Sequence, residues 1–351
     1  MSTAPNSQVI VPAPSGNAPA PETTRPASAS LLRRLMAWDG FGLLLVFVAL
    51  YVVLAVASPQ FLQVENQLNI LQNAAFFGIV ALAMTLVIIA GEIDISVGSM
   101  AALASSMLGV LVVKAQLPFP LVVVIVLAIA AAIGAFAGVM RAYFGVPTFI
   151  ATLALFLALR GLAQLITNNF PLPIAASEFF YWGPGRVFSW GPGTGIPVSA
   201  LYFVGIFVVI AVIAKKTVFG RSIYAVGGNM KAANLSGINV KAVKILVMTI
   251  VAVVAAITGL LFSAQLSAGT ATIANGLEFD AISAAIIGGA ALSGGKGTVT
   301  GTIIGVLFIA TLLNGMVLLG VNPYTQQVVR GVVVLIAVLV NVYRSRRTAS
   351  S

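Results

Sequence analysis

The stretch Gly220-Arg-Ser-Ile-Tyr-Ala-Val-Gly-Gly-Asn-Met-Lys-Ala-Ala-Asn-Leu-Ser-Gly-Ile-Asn-Val-Lys241 decides how the rest of the chain is read. It is polar, basic and punctuated by glycine. It forms an island of roughly 25–30 residues in a chain that is otherwise almost continuous membrane-spanning sequence. A short helix held in water contributes little to a membrane protein unless something docks on it. The stretch therefore reads as a handle through which a soluble partner moves a transmembrane bundle.

Composition fixes the class around that island. The chain has 351 residues, 60% of them hydrophobic and only 7% charged, and its mean hydropathy is +1.09. Soluble domains carry about 25% charged residues. Apolar runs of about 20 residues, long enough to cross a bilayer as helices, recur between positions 41 and 343. There is no cysteine and no histidine, which excludes disulfides, thiolate metal sites, imidazole bases and histidine proton relays. No metal site or cofactor is expected. The net charge of +10 raises the question of nucleic acid, but its distribution along the chain answers to membrane orientation instead.

Ten apolar segments are predicted, near 41–57, 69–90, 96–113, 120–140, 149–167, 199–214, 245–267, 280–292, 298–319 and 325–343. The eighth is short enough to be a half-helix. Residues 1–30, rich in Ala, Pro, Ser and Thr, are expected to be a disordered cytoplasmic tail, residues 31–345 one transmembrane domain and 346–351 a second cytoplasmic tail. Arg33 and Arg34 before the first run, with Ala55-Val-Ala57 at its end, imitate a cleavable signal peptide. The length of the run, its distance from residue 1 and the spans that follow make it a first transmembrane helix. With a cytoplasmic N-terminus, fourteen of the 18 Lys and Arg residues fall on the cytoplasmic side and only Lys114 and Arg186 outside; Arg160 and Arg330 lie within spans. That asymmetry places both termini in the cytoplasm. It makes 215–244 a cytoplasmic loop and 168–199 an external one.

The same topology brings out an internal repeat. Glu92-Ile-Asp94-Ile-Ser96 follows the second span and Glu278-Phe-Asp280-Ala-Ile-Ser283 the seventh. Gly145-Val-Pro147-Thr-Phe joins spans four and five, and Gly320-Val-Asn-Pro323-Tyr joins nine and ten. The offsets are 186 and 175 residues, and each pair has one member inside and one outside. This is the pattern of an inverted-topology repeat, spans two to five against seven to ten.

Within the island, Gly227 and Gly228 precede a helix-forming stretch from Asn229 to Leu235, and Gly237 stands where a helix C-cap belongs. Met230, Ala233 and Leu235 form its apolar face. The stretches Tyr224-Ala-Val-Gly-Gly-Asn229 and Ala232-Ala-Asn-Leu-Ser-Gly237-Ile-Asn-Val240 resemble the cytoplasmic loop of permease subunits of ribose-type ABC importers. Gly91-Glu-Ile-Asp-Ile-Ser-Val-Gly98, Gly145-Val-Pro-Thr-Phe-Ile-Ala-Thr-Leu153 and the run from Phe279 to Thr298 resemble three further motifs of that family, in order. The resemblance covers about residues 38–345. It implies the channel half of a monosaccharide importer in the bacterial inner membrane. It also implies a periplasmic sugar-binding protein, a second copy of this chain and a cytoplasmic ATPase as partners, with no nucleic acid. Position 92 is Glu where many relatives carry Gly.

The chain itself is not expected to be an enzyme. Ser293-Gly-Gly-Lys296-Gly-Thr298 superficially matches a phosphate loop, but G-x-x-x-x-G-K-[ST] would need Gly where Ala290 stands and Ser or Thr where Gly297 stands. A tight turn between spans eight and nine is the simpler reading, with ATP hydrolysed on a separate chain.

The remaining polar residues have two readings each. Asp94 and Asp280 are placed to cap the helices that follow, together with Ser96 and Ser283. Glu92 and Glu278 have no capping role and are candidates, with the two aspartates, for a gate or inter-subunit contact. Asn73, Thr148, Phe149, Thr152, Gln164 and Asn168 either line a sugar path or serve helix packing. The aromatics between Asn168 and Ser199, among them Phe170, Phe179, Phe180, Tyr181, Trp182, Phe188 and Trp190, form either an interfacial belt or a surface that receives the binding protein. An ion-coupled secondary transporter is the alternative function. It would want a midplane carboxylate or histidine and has no use for the 215–244 loop.

Overall fold

The structure, a computed structural model, describes residues 41–175, 183–191 and 193–349. The tail expected over 1–30 and the aromatics Phe179, Phe180, Tyr181 and Trp182 lie outside the described residues. Twelve helices follow in chain order: α1 (Phe41–Ala57), α2 (Val64–Ile89), α3 (Val97–Gly109, continued by a π turn over Val110–Lys114), α4 (Phe119–Phe144), α5 (Thr148–Thr167), α6 (Val198–Lys216), α7 (Val218–Gly228), α8 (Met230–Leu235), α9 (Val240–Leu266), α10 (Leu277–Ile287), α11 (Val299–Leu318) and α12 (Pro323–Ala349). The only strands among the described residues are two short antiparallel pairs. One joins β1 (Leu172–Pro173) to β4 (Ala268–Gly269), with Leu172 opposite Gly269; the other joins β2 (Arg186–Val187) to β3 (Ile196–Pro197).

The architecture is all-α and polytopic. Among the described residues, α2, α3 with its π turn, α4, α5, α6, α9 and α11 are long and apolar enough to span a membrane. Two shorter apolar stretches, Gly42–Ala57 and Pro323–Leu339, lie in α1 and α12. The eleven residues of α10 make about 16 Å, half a bilayer core. Local signals set these limits. Pro120 sits in the first turn of α4, and Gly145 ends it in the left-handed region at φ 70°. Thr217, Asn229, Asn239 and Thr298 each cap the next helix with a side-chain oxygen.

The centre of the bundle is α2, in which every residue from Ala74 to Ile89 is buried. A helix apolar on all faces belongs in an interior. α2 packs on α11, α6, α9 and α10, while α9 packs on α4 and α3. The α4 face against α9 is built of small residues, with Gly134 and Gly138 lying on the α9 backbone at Met248 and Ile245. α3 in turn packs on α5, and α10 on α12. Exchanging α2–α5 for α9–α12 maps every one of these packed pairs except α2–α6 onto one of them. α2 and α9 run antiparallel: Glu92, just beyond the end of α2, pairs with Lys244 near the start of α9, and Gln72, near the other end of α2, donates to Gln265, near the other end of α9, at 3.0 Å.

Candidate functional site

The 215–244 segment contains two helices rather than the one expected. α7 precedes α8 and is anchored: the Tyr224 hydroxyl donates to the Gly297 carbonyl at 2.9 Å, and Gly227 lies so close to the Ile89 carbonyl at the end of α2 that a Cβ there would overlap it. Gly227 and Gly228 are thus helical residues of α7, with Gly227 at a packing contact. The Asn229 side chain accepts from Ala232 N at 3.0 Å and starts α8; Gly237, at φ +81°, turns the chain out of it. Leu235 is 88% exposed and Met230 45% exposed, on a helix anchored at both ends. Ala233 faces the other way and is buried against the protein, which corrects its assignment to the outer apolar face.

Near the start of α9, the helix that follows α8, lies a buried ionic cluster. The Glu92 carboxylate, in the loop between α2 and α3, accepts from Arg141 Nε at 2.8 Å, from Lys244 Nζ and from the Thr148 hydroxyl. It thereby joins the end of α4, the start of α5 and the second turn of α9. Burial pushes the Glu92 carboxyl up, but the hydrogen bonds from Arg141, Lys244 and Thr148 and the Lys244 charge outweigh it and hold it below the ordinary value. The side chains of Glu92 and Lys244 are both buried. Glu92 is therefore used within the chain and is not the inter-subunit contact that the sequence offered. Lys241, one turn earlier on α9, lies 4.3 Å from the centroid of the Tyr143 ring.

In the bundle interior the chain leaves helical geometry. Residues 268–276 connect α9 to α10, and Arg160 of the spanning helix α5 donates through Nη1 to two of their carbonyls, Ala271 at 2.7 Å and Ile273 at 2.8 Å. Irregular backbone inside a membrane is tolerated where protein groups satisfy it in this way. Glu278, in the first turn of α10 and 1% exposed, lies against Gly98 in the first turn of α3. A Cβ at Gly98 would overlap its Oε2 and would lie 2.7 Å from the Ala274 carbonyl. The N-terminal ends of α3 and α10 thus meet around a buried carboxylate, which their positive partial charges favour. Gly98→Val is expected to destabilise the fold or displace α10, read as a lower thermal unfolding temperature of the purified chain. Glu278, like Glu92, lies inside the protein and not on an inter-subunit surface.

Asp280 does not cap α10; Gly276 holds the N-cap position. The Asp280 carboxylate instead accepts from Arg330 Nη1 of α12 at 3.2 Å. Ser283 donates back to the Phe279 carbonyl at 2.6 Å and caps nothing. Asp94 accepts from Ser96 N at 2.7 Å and from the Ser96 hydroxyl at 2.6 Å, a local turn that leaves the first N–H groups of α3 without a side-chain cap.

At the end of the bundle opposite α8 is a cavity of about 620 Å³ between α2, α9 and α11. Its polar lining is Asn66, Asn69, Gln72, Asn73, Gln265 and Asn314. Of the six residues expected along a solute path, only Asn73 is here. Thr148 is bound to Glu92, and Thr152 is buried with its hydroxyl on the Thr148 carbonyl at 2.8 Å. Phe149 and Gln164 are exposed on α5, and Asn168 is its left-handed C-cap at φ 53°. The other carboxamides were legible in part. Asn66, Asn69, Gln72 and Asn73 recur at helical spacing on α2, but Gln265 and Asn314 join them only through tertiary packing.

Comparison with known proteins places the chain among transport permeases. A family model described as "Branched-chain amino acid transport system / permease component" matches residues 66–338. The chain is 47% identical over 310 residues to the "Probable ABC transporter permease protein YphD" of Escherichia coli K12, covering 88% of this chain and 91% of the relative. It is 39% identical over 302 residues to the "Ribose import permease protein RbsC" of the same strain, covering 85% and 92%. It is 32% identical over 362 residues to the "Xylose transport system permease protein XylH" of Haemophilus influenzae, covering 86% and 96%. No solved structure matches.

Proposed function

We propose a function on the premise these matches give: the chain belongs to the permease family of ribose-type sugar ABC importers. It is a multi-pass protein of the bacterial inner membrane. In our reading it is the transmembrane subunit of an ATP-driven importer, working as a pair of copies, that passes a monosaccharide handed over by a periplasmic binding protein. ATP hydrolysis resides on a separate cytoplasmic ATPase. The observation that carries the reading is α8, an anchored six-residue helix with Leu235 and Met230 turned to solvent at the bundle end richest in Lys and Arg. Exposed apolar side chains on an anchored element are the signature of a groove-docking helix. Glu92, Asp94, Glu278 and Asp280 act in this reading as internal ties of the gating helices. The antiparallel α2 and α9 and the exchangeable packing of α2–α5 and α9–α12 support the inverted repeat.

Orientation follows from the basic loops, with α8 and both termini in the cytoplasm. The chain has no cysteine, so single introduced cysteines report cleanly. Asn234→Cys is expected to resist a membrane-impermeant thiol reagent in intact cells, and Ser189→Cys to react. External labelling of Asn234→Cys would reverse the topology. The purified chain alone is expected not to hydrolyse ATP; activity that disappears in Lys296→Ala would overturn the division of labour. The reading as a whole is tested by coexpression with candidate ATPase chains. Sugar uptake should require both, and the ATPase should co-purify.

A further inference from the structure

We propose that the cavity between α2, α9 and α11 is a binding site for a neutral, polyhydroxylated solute of monosaccharide size, entered from the end opposite α8. The proposal rests on the permease reading and adds to it a place and a basis for selectivity within one copy of the chain. The volume of about 620 Å³ falls in the range of small-molecule pockets. Among the described residues, all six polar side chains lining it are carboxamides, and no Asp, Glu, Lys or Arg lines it. A carboxamide both donates and accepts, as a sugar hydroxyl does. A zwitterionic amino acid would bring an ammonium into a cavity whose described lining holds no carboxylate to pair with it, and an unpaired charge in such a place is strongly unfavourable. The cavity thus discriminates between the amino-acid cargo in the family description and the sugars in the names of the relatives.

The carboxamides are held in place by one another and by one cation behind them. Asn66 and Asn314 exchange reciprocal hydrogen bonds of 3.1 and 2.8 Å, and Gln72 donates to Gln265 at 3.0 Å. Arg186 Nη2 donates to Asn69 Oδ1 at 2.9 Å, which fixes the carboxamide and leaves its NH₂ to donate elsewhere. Asn73 is exposed, and its side chain forms no hydrogen bond with any other described residue. Phe76 and Phe262 line the same wall with their rings stacked at a centroid distance of 4.6 Å, an apolar surface for the C–H face of a pyranose or furanose. Ile273 and Ala274 also line the cavity, and they belong to the irregular segment that Arg160 holds. The way inward is therefore bounded by a segment fixed by hydrogen bonds rather than by a helix.

The test uses the full chain with Asn73→Cys, a position whose side chain forms no hydrogen bond among the described residues. Uptake in cells carrying the chain and its ATPase first identifies which of D-ribose, D-xylose, D-glucose and L-leucine depends on it. That compound is then added to the purified full chain while an uncharged maleimide modifies Cys at 73, with Asn169→Cys as a control outside the cavity. A transported neutral sugar at about ten times its dissociation constant is expected to slow modification at position 73 about tenfold and to leave position 169 unchanged. Gln265→Leu is expected to raise the KM for uptake of that sugar. A transported sugar that neither protects position 73 nor responds to Gln265→Leu overturns the site while the permease reading stands. Protection by L-leucine overturns the solute class. Uptake of none of the sugars removes the sugar-permease reading and the proposal with it.

Discussion

Leu235→Asp is expected to abolish sugar uptake and co-purification of the ATPase while leaving expression and membrane insertion normal. Leu235 is 88% exposed in the isolated chain, so the substitution disturbs no internal packing. Its effect must come from whatever covers the residue in the working transporter. Burying one leucine contributes about 2 kcal/mol, worth about thirtyfold in affinity. Carrying an unpaired carboxylate into the same groove is strongly unfavourable in addition. Met230→Ala should weaken the complex less, because Met230 is already half-covered by the protein. Gly237→Val attacks the same helix through the backbone. At φ +81°, with open space around it, the residue meets no clash, and the cost is conformational, about 1–3 kcal/mol. Gly237→Asn, which tolerates that region, should be milder. Normal uptake by well-expressed Leu235→Asp would sink the assignment of α8 as the docking element.

The helices were readable in the sequence because lipid imposes a simple rule: about 20 apolar residues per span, with the breaks at Gly, Pro and capping side chains. The starts of α5 and α11, after Pro147 and Thr298, follow directly from local chemistry. The short α10 followed from its length alone. What the sequence could not supply were pairings between distant helices. Asp280 sits where a capping residue would, and nothing nearby in the chain reveals that Arg330, fifty residues on, takes its carboxylate instead. Glu92 and Glu278 stand out in the sequence as acids without a capping role. Lys244 and Arg141, which pair with Glu92, and Gly98, which Glu278 abuts, lie on elements that meet these acids only once the bundle is packed. For Thr148, Thr152 and Gln164 the sequence left two readings, a solute path or helix packing. Thr148, Thr152 and Gln164 are polar residues in an apolar helix, but the helix face they occupy is set by packing. The four carboxamides along one side of α2 are the sequence signal of the cavity, since polar residues at helical spacing share one wet surface.

Glu92→Gln is expected to destabilise the chain and to uncouple it. In the native protein one buried carboxylate serves two cations, and Lys244 has little access to water in exchange. Removing the charge leaves Lys244 buried without a counter-charge, a loss of about 3–5 kcal/mol for a broken buried pair. Arg141 is partly exposed and can turn to solvent, so it adds little to that figure. The stability lost should therefore be recovered largely by Lys244→Met in the same chain, since an apolar side chain of similar length is easily housed where an unpaired ammonium is not. Transport should not recover with it. Lys244 lies in the first turns of α9, directly after α8, and Glu92 lies in the loop that enters α3, whose first turn abuts Glu278. The ion pair is the tie between the element that an ATPase would move and the helices that meet in the bundle interior. The double variant should unfold near the temperature of the native chain and still co-purify with the ATPase, but it should transport poorly. Thermal unfolding of the purified chain, measured beside uptake, separates the two effects. An unchanged unfolding temperature in Glu92→Gln would show that the cluster is solvated and carries no strain of this kind. Full uptake in the stable double variant would leave Glu92 a structural tie with no part in coupling.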